Sequence, residues 1–230
     1  MSIKEPSLPA ELVDRAIYRR GTLAVYDRIV PQRTALLALD MQNVWLRPGA
    51  PFHTPNTIDT LVPINRLARA LRAKGGTVCW FQQTTGAPGT PEYWAQYFDN
   101  FVGDQYRGEA VAALTPGNAL HALHDALDRA PQDLVLPKYR FSAFIRNPSD
   151  PERMLRERGI DTVIVAGTAT NIGCESTVRD AMMLDFNTFM PHDATIAPYY
   201  DGHLAGMRSV MQAFADVRGV DEIVTLINAG

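Results

Sequence analysis

The chain has 230 residues, 46% of them hydrophobic and 20% charged, with 22 Lys and Arg against 25 Asp and Glu for a formal net charge of −3. That length and apolar content suit one large domain with a full core, and the near balance of charge leaves no electrostatic footprint for nucleic acid or an anionic membrane. No stretch approaches the ~18 consecutive apolar residues that span a bilayer and the N-terminus lacks an export signal's apolar run, so a cytoplasmic protein with a small-molecule partner is expected.

Residues 1–33 precede the first strand-like run: "SLPAEL" suggests a short capped helix, and "YDRIVPQR" an arm lying on the domain or on a partner subunit. The domain proper is taken as 34–230. "TALLALD" (34–40) reads as a strand, followed by the crossover helix "IDTLVPINRLARALRAKG", whose apolar residues return at three and four before a terminal Gly. After the strand "GTVCWFQ" (76–82) comes a long aromatic-rich excursion, 84–118. A loop of that length in a compact domain is functional or carries short helices of its own. His121 and His124 fall on a predicted polar helix and read as a surface pair, since no cysteine or carboxylate cluster converges on them.

"DLVLPK" (133–138), "DTVIVAG" (161–167), "NTFMPHD" (187–193) and "DEIVTLI" (221–227) read as the remaining strands. Between them lie the helical segments "DPERMLRERG", "CESTVRDAMMLDF" and "GHLAGMRSVMQAFADVRG". The alternation predicts a three-layer α/β fold: a six-stranded parallel sheet of Rossmann-like order with helices on both faces. The arm and the excursion are natural contact elements, so a homo-oligomer, dimer or tetramer, is expected.

In open parallel sheets ligands bind beyond the carboxyl ends of the strands. The first strand ends in Asp40, the second in Gln82 and Gln83, the third in Lys138, and the fourth leads through Gly167 to Gly173 and Cys174. A carboxylate and a lysine at neighbouring strand ends shift each other's pKa, as a hydrolytic site requires. Cys174 lies near a helix start, where N–H groups and the dipole stabilise a thiolate; the competing role is that of a small apolar residue packing the helix against the sheet. Cys79 reads as a buried thiol within its strand. Two cysteines without metal-ligand spacing form no disulfide framework.

"ALLALDMQN", "VLPKYRFSAF" and "VIVAGTATNIGCESTVRDAMMLDF" together resemble the isochorismatase-like hydrolase superfamily, which includes nicotinamidases, N-carbamoylsarcosine amidases, ureidoacrylate amidohydrolases and isochorismatases. The resemblance covers roughly residues 30–227 and implies a hydrolase without redox cofactor, with Asp40 and Lys138 as the family's acid and lysine. In the family's cysteine hydrolases the pattern G-x-x-T-x-x-C sets the nucleophile after the fourth strand. Counted from Gly167, Thr170 falls in place, but the nucleophile's position is Gly173 and the cysteine follows at Cys174. Relatives with a "CCEST" run would match Cys174 to their second, supporting cysteine.

Isochorismatases proper resemble this chain in carrying Gly-Cys at these two positions; they hydrolyse a vinyl ether, with the family Asp as proton donor. Their tyrosine before "AH" is Ala169 here, while "TNIGCEST" resembles the ureidoacrylate type. Three readings follow. A C–N amidohydrolase of a small carboxylate or ureido/amide substrate, its nucleophile position occupied by Gly173, is placed first. C–O hydrolysis of a vinyl ether with Asp40 as general acid is the alternative, and a catalytically silent metabolite-binding member or inactivated variant the third. Cys174 as substitute nucleophile is disfavoured, because one residue along a helix rotates a side chain by about 100°.

The amidase reading implies that backbone N–H groups near Thr170 and residue 173 hold the oxyanion, beside a cis peptide expected at Ala169–Thr170. Trp80, Gln83, Tyr93, Trp94, Tyr139 and Phe144 are candidates to line the pocket, with Arg140 as a carboxylate clamp. His53, in "PFHTP", lacks the spaced acid of the nicotinamidase metal motif, so no catalytic metal is expected.

Overall fold

A computed structural model describes residues 9–230. The sheet is wholly parallel, in the order β3-β2-β1-β4-β5-β7, with a short β6 pairing beside β4 to make seven strands. The strands are β1 (Thr34–Leu39), β2 (Thr77–Gln83), β3 (Leu134–Lys138), β4 (Thr162–Thr168), β5 (Asn187–Pro191), β6 (Thr195–Ile196) and β7 (Asp216–Arg218). The chain leaves β1 in one direction through β2 and β3 and returns to its other side through β4. The switch point therefore lies between β1 and β4, where such sheets open a ligand crevice.

Alternation along the strands divides the core into two layers. Leu37 and Leu39 of β1 and Val163 and Val165 of β4 pack on one face, with residues of α6 (Pro151–Glu157), α7 (Glu175–Met183) and α8 (Tyr200–Met211). Leu36, Ala38, Ile164 and Ala166 pack on the other, under α3 (Leu61–Ala73) and α9 (Val220–Ala229). A third apolar cluster joins Val44, of the short helix α2 (Asn43–Leu46), to α4 (Ala95–Phe101) and α5 (Asp104–Ala113), the two helices of the aromatic excursion.

The run 221–227, expected as the sixth strand, is instead part of α9. Val220, Ile223 and Ile227 are its buried residues, a spacing of three and four, and Glu222 accepts from the Gly219 N–H at 3.1 Å as a cap. A short β-branched run carries both patterns, and here the helical one wins. The sixth place in the main order goes to β7, three residues read from sequence as the tail of the preceding helix, which ends at Met211. The polar helix expected around His121 and His124 does not form either. Residues 119–133 run over the rim as turns, Gln42 bridging Leu123, and His121 is buried with its Nε2 3.0 Å from Thr84 Oγ1.

The described part of the arm lies on its own domain. In α1 (Ala10–Arg20), Glu11 pairs with Arg208 at 2.6 Å, and the N–H groups of Val25 and Tyr26 donate to Asp216 at 2.9 and 3.0 Å. The start of "SLPAEL", at residues 7 and 8, lies outside the described residues. Among the described residues no helix is long and apolar enough to cross a membrane.

Gly167 holds β4 against β1. Its φ is +117°, and a Cβ there would stand 2.1 Å from the Leu39 carbonyl oxygen, so no side chain fits without moving backbone. We expect Gly167→Ala to lower unfolding free energy by at least about 3 kcal/mol in urea titration. An unchanged midpoint would contradict this close packing at the switch point.

Candidate active site

Strand register brings the predicted acid, amide and lysine together. Gln83 is in register with Lys138, and Leu39, just before Asp40, lies between Phe81 and Gly167. Asp40 follows β1 at φ +59°, a left-handed conformation that Asp tolerates better than most residues, while its N–H donates to the Phe81 carbonyl at 2.9 Å. Asp40 Oδ2 lies 3.0 Å from Lys138 Nζ, and the lysine side chain is fully buried.

Every proton of that ammonium has a partner. One goes to Asp40 Oδ2, one to Gln83 Oε1, and one to the Arg140 carbonyl at 3.0 Å. Gln42 locks the arrangement from behind: its Oε1 accepts from the Gln83 N–H at 2.8 Å, and its Nε2 donates to the His121 and Gln83 carbonyls at 2.8 and 3.1 Å. Asp40 Oδ1, by contrast, is buried with no partner among the described residues. Burial pushes the Asp40 carboxyl above the ordinary carboxylate range, and the Lys138 ammonium pulls it back only part of the way.

Asp40 and Gly173 border a cavity of about 340 Å³. Its walls are mostly apolar: Trp45 and Phe52 follow β1, Trp94, Tyr97 and Phe98 come from the excursion, and Phe141 follows β3. Gln83 and Ala169 also border it, as does His53. A Cβ on Gly173 would stand 3.4 Å from Asp40 Oδ2 and 3.5 Å from the carbonyls of Phe141 and Thr168, ordinary contact distances. A side chain at 173 would therefore sit beside the carboxylate.

Cys174 turns the other way. It is fully buried in the core under α7, does not border the cavity, and has its thiol pKa pushed up by burial first and then by the Asp40 charge. The helix start that could have activated it is a π-helical turn, Thr170–Cys174, whose geometry carries the thiol into the sheet face. The cis peptide is Thr168–Ala169, one bond earlier than expected, between the last residue of β4 and the residue that leads into this turn.

Several expected pocket residues lie elsewhere. Trp80 is packed under α3 and donates its indole N–H to Asp133 at 2.9 Å, because alternation along β2 sends it away from the rim. Tyr93 is buried against Phe98, its hydroxyl donating to Asp99 at 2.6 Å. Thr170 is buried and shares a 2.8 Å hydrogen bond with His203 Nδ1 instead of facing the cavity. Burial brings His203 down to about 4, which keeps it neutral near pH 7. Tyr139, Arg140 and Phe144 border a separate cavity. Lys138 does not border the cavity itself; its partners Asp40 and Gln83 do.

Reading strand ends alone missed Gln42, the segment bearing Trp45, Phe52 and His53, the pair Tyr97 and Phe98, and His203. A signal existed for the aromatic pair: Trp94, Tyr97 and Phe98 recur at helical spacing through the excursion. Among the described residues no three His, Cys, Asp or Glu side chains come together as metal ligands would.

A family model for the isochorismatase domain matches residues 34–222. Solved structures share the fold. A cysteine hydrolase from Pseudomonas syringae pv. phaseolicola is 25% identical with a TM-score of 0.79, over 90% of this chain and 97% of that one. An isochorismatase family protein from Desulfovibrio vulgaris is 25% identical with a TM-score of 0.72, over 85% and 98%. N-carbamoylsarcosine amidase from Thermoplasma acidophilum matches in fold, at 23% identity and a TM-score of 0.65, over 82% and 97%.

Both thiols should be silent in the native protein: burial pushes Cys79 up to about 12 and raises Cys174 as well. With a thiol-specific chromogenic disulfide at pH 8 we expect no reaction until denaturant is added, then both cysteines. Fast native-state labelling of Cys174 would contradict its placement in the core.

Proposed function

Because the chain belongs to the isochorismatase family of hydrolases, we propose that it cleaves a small, largely apolar metabolite without forming a bond to the protein, Asp40 acting as general acid on a vinyl-ether type C–O bond. The observation that carries this reading is the pairing of Gly173 beside Asp40 with Cys174 buried on the far side of the turn. The carboxyl thus has no neighbouring thiol to deprotonate, and its own burial favours the protonated form a general acid needs.

The chemistry then runs on Asp40 alone. Oδ2 is held by Lys138 and Oδ1 has no protein partner among the described residues, so a proton on this carboxyl has no acceptor there to compete with the substrate. Transfer of that proton to the terminal carbon of the enol ether forms a C–H bond and leaves an oxocarbenium carbon. Water adds to that carbon and returns a proton to the Asp40 carboxylate, and the hemiketal collapses to a ketone and an alcohol. Lys138 keeps the carboxylate from becoming an isolated buried charge in the intermediate. The apolar walls suit a ring or a hydrocarbon body.

A second reading rests on the same glycine. The ordinary contact distances around a Cβ at 173 leave room for a cysteine there, and the chain is similar to a cysteine hydrolase, so a C–N amidohydrolase that has lost its thiol fits the site too.

The two readings part in one experiment. Vinyl-ether acids and ureido or amide acids are offered to the protein, to Asp40→Asn and to Gly173→Cys, with intact-mass analysis alongside product assays. We expect the unmodified protein to cleave a vinyl ether without adduct, with a rate that falls as pH rises through the raised Asp40 pKa, and Asp40→Asn to lose at least about 10²-fold. We expect Gly173→Cys to slow that reaction. An acyl adduct and a large gain on amides in Gly173→Cys, with no vinyl-ether cleavage by the unmodified protein, would establish the second reading instead.

A further inference from the structure

We propose that the second cavity, flanked by Arg140 and Arg146 on the outer side of the Trp94 wall, binds a small free oxyanion of the phosphate or carboxylate class. It has a volume of about 420 Å³ and is bordered by Glu92, Tyr139, Arg140, Phe144 and Arg146. Two guanidinium groups face it against one carboxylate. Among the described residues neither arginine makes an ion pair.

Like charges do not gather at one cavity without a cause, and here the backbone holds them there. The Arg140 carbonyl is tied to buried Lys138 Nζ at 3.0 Å, and its Nη1 donates to the Tyr139 carbonyl at 2.6 Å. Its guanidinium lies over the Trp94 ring, 5.1 Å from the centroid. Arg146 stands at φ +47° beside Asn147, whose side chain donates to the Pro137 and Ala143 carbonyls at 2.8 and 3.0 Å. The Arg140 guanidinium is thus held in place, and the backbone that carries Arg146 is fixed at the rim of the same cavity. Burial and the neighbouring Arg146 each work against the charge on Arg140. A bound oxyanion relieves that repulsion through charge-assisted, planar hydrogen bonds.

The cavity lies against the same wall as the Asp40 cavity. Phe141, the residue after Arg140, packs edge-on against Trp94 at 4.7 Å and borders the Asp40 cavity, so consecutive residues serve the two sides of one wall. The site stands whether or not the vinyl-ether reading does, because none of its residues takes part in that chemistry.

Titration calorimetry with inorganic phosphate at constant ionic strength, on the whole chain, tests it. We expect binding to the unmodified protein, roughly tenfold weaker binding in Arg146→Gln and in Arg140→Gln, and unchanged binding in Arg129→Gln, which removes an exposed cation elsewhere. Arg146 is exposed, so its variant tests the site even if Arg140→Gln fails to fold. No binding to the unmodified protein, equal affinity in Arg146→Gln, or equal weakening in Arg129→Gln would overturn the proposal.

Discussion

One buried cation organises the rim of this sheet. An ammonium removed from water is tolerated only when its charge is paired and its protons are accepted, and Lys138 meets that condition with three acceptors from three segments of chain. Those acceptors are the Asp40 carboxylate after β1, the Gln83 side chain at the end of β2 and the Arg140 carbonyl after β3. Satisfying the cation therefore fixes the ends of three adjacent strands relative to one another. It also decides which way Phe141 and Arg140 face, and so separates the two cavities. Asp40 is left with one oxygen engaged and one without a partner, which is the asymmetry a proton donor needs.

Gly173 and Cys174 give this frame its chemical character. On a neighbouring turn, a thiol beside Asp40 would turn the carboxyl into a base; here the carboxyl faces only a glycine, and the sulfur serves as core packing. The molecule is an isochorismatase-family hydrolase, and in the proposed reading its reactive centre is a carboxyl, its lysine and an apolar chamber. The proposed reading favours acid chemistry on the positions of these two residues, although the residues alone put amides first.

The strand ends were legible in sequence because each strand is a short apolar run closed by a polar residue. Asp40, Gln83 and Lys138 stand in those closing positions. The register that makes them touch was not legible, since it comes from the parallel pairing of β2 with β3 and of β1 with its neighbours. The last strand is hidden in the sequence because "DEIVTLI" fits either period, while the strand itself, three residues long, is too short to show one. Among the aromatics, chain proximity to a strand end was a poor guide. Trp80 is one strand residue out of phase with the rim, whereas Tyr97 and Phe98 reach the cavity from a helix whose docking depends on contacts with Val44 and its neighbours. Gln42 and His203 act behind the surface of the site, and no local pattern distinguishes such residues.

The state of Asp40 is the point on which the functional account turns. The most direct measurement follows the carboxyl carbon resonance of Asp40 against pH in uniformly labelled protein, assigned by its loss in the Asn variant. The account predicts titration above the ordinary aspartate range, because burial outweighs the pull of Lys138. A resonance that titrates at or below that range would show a permanently ionised carboxylate, and the general-acid account would be contradicted.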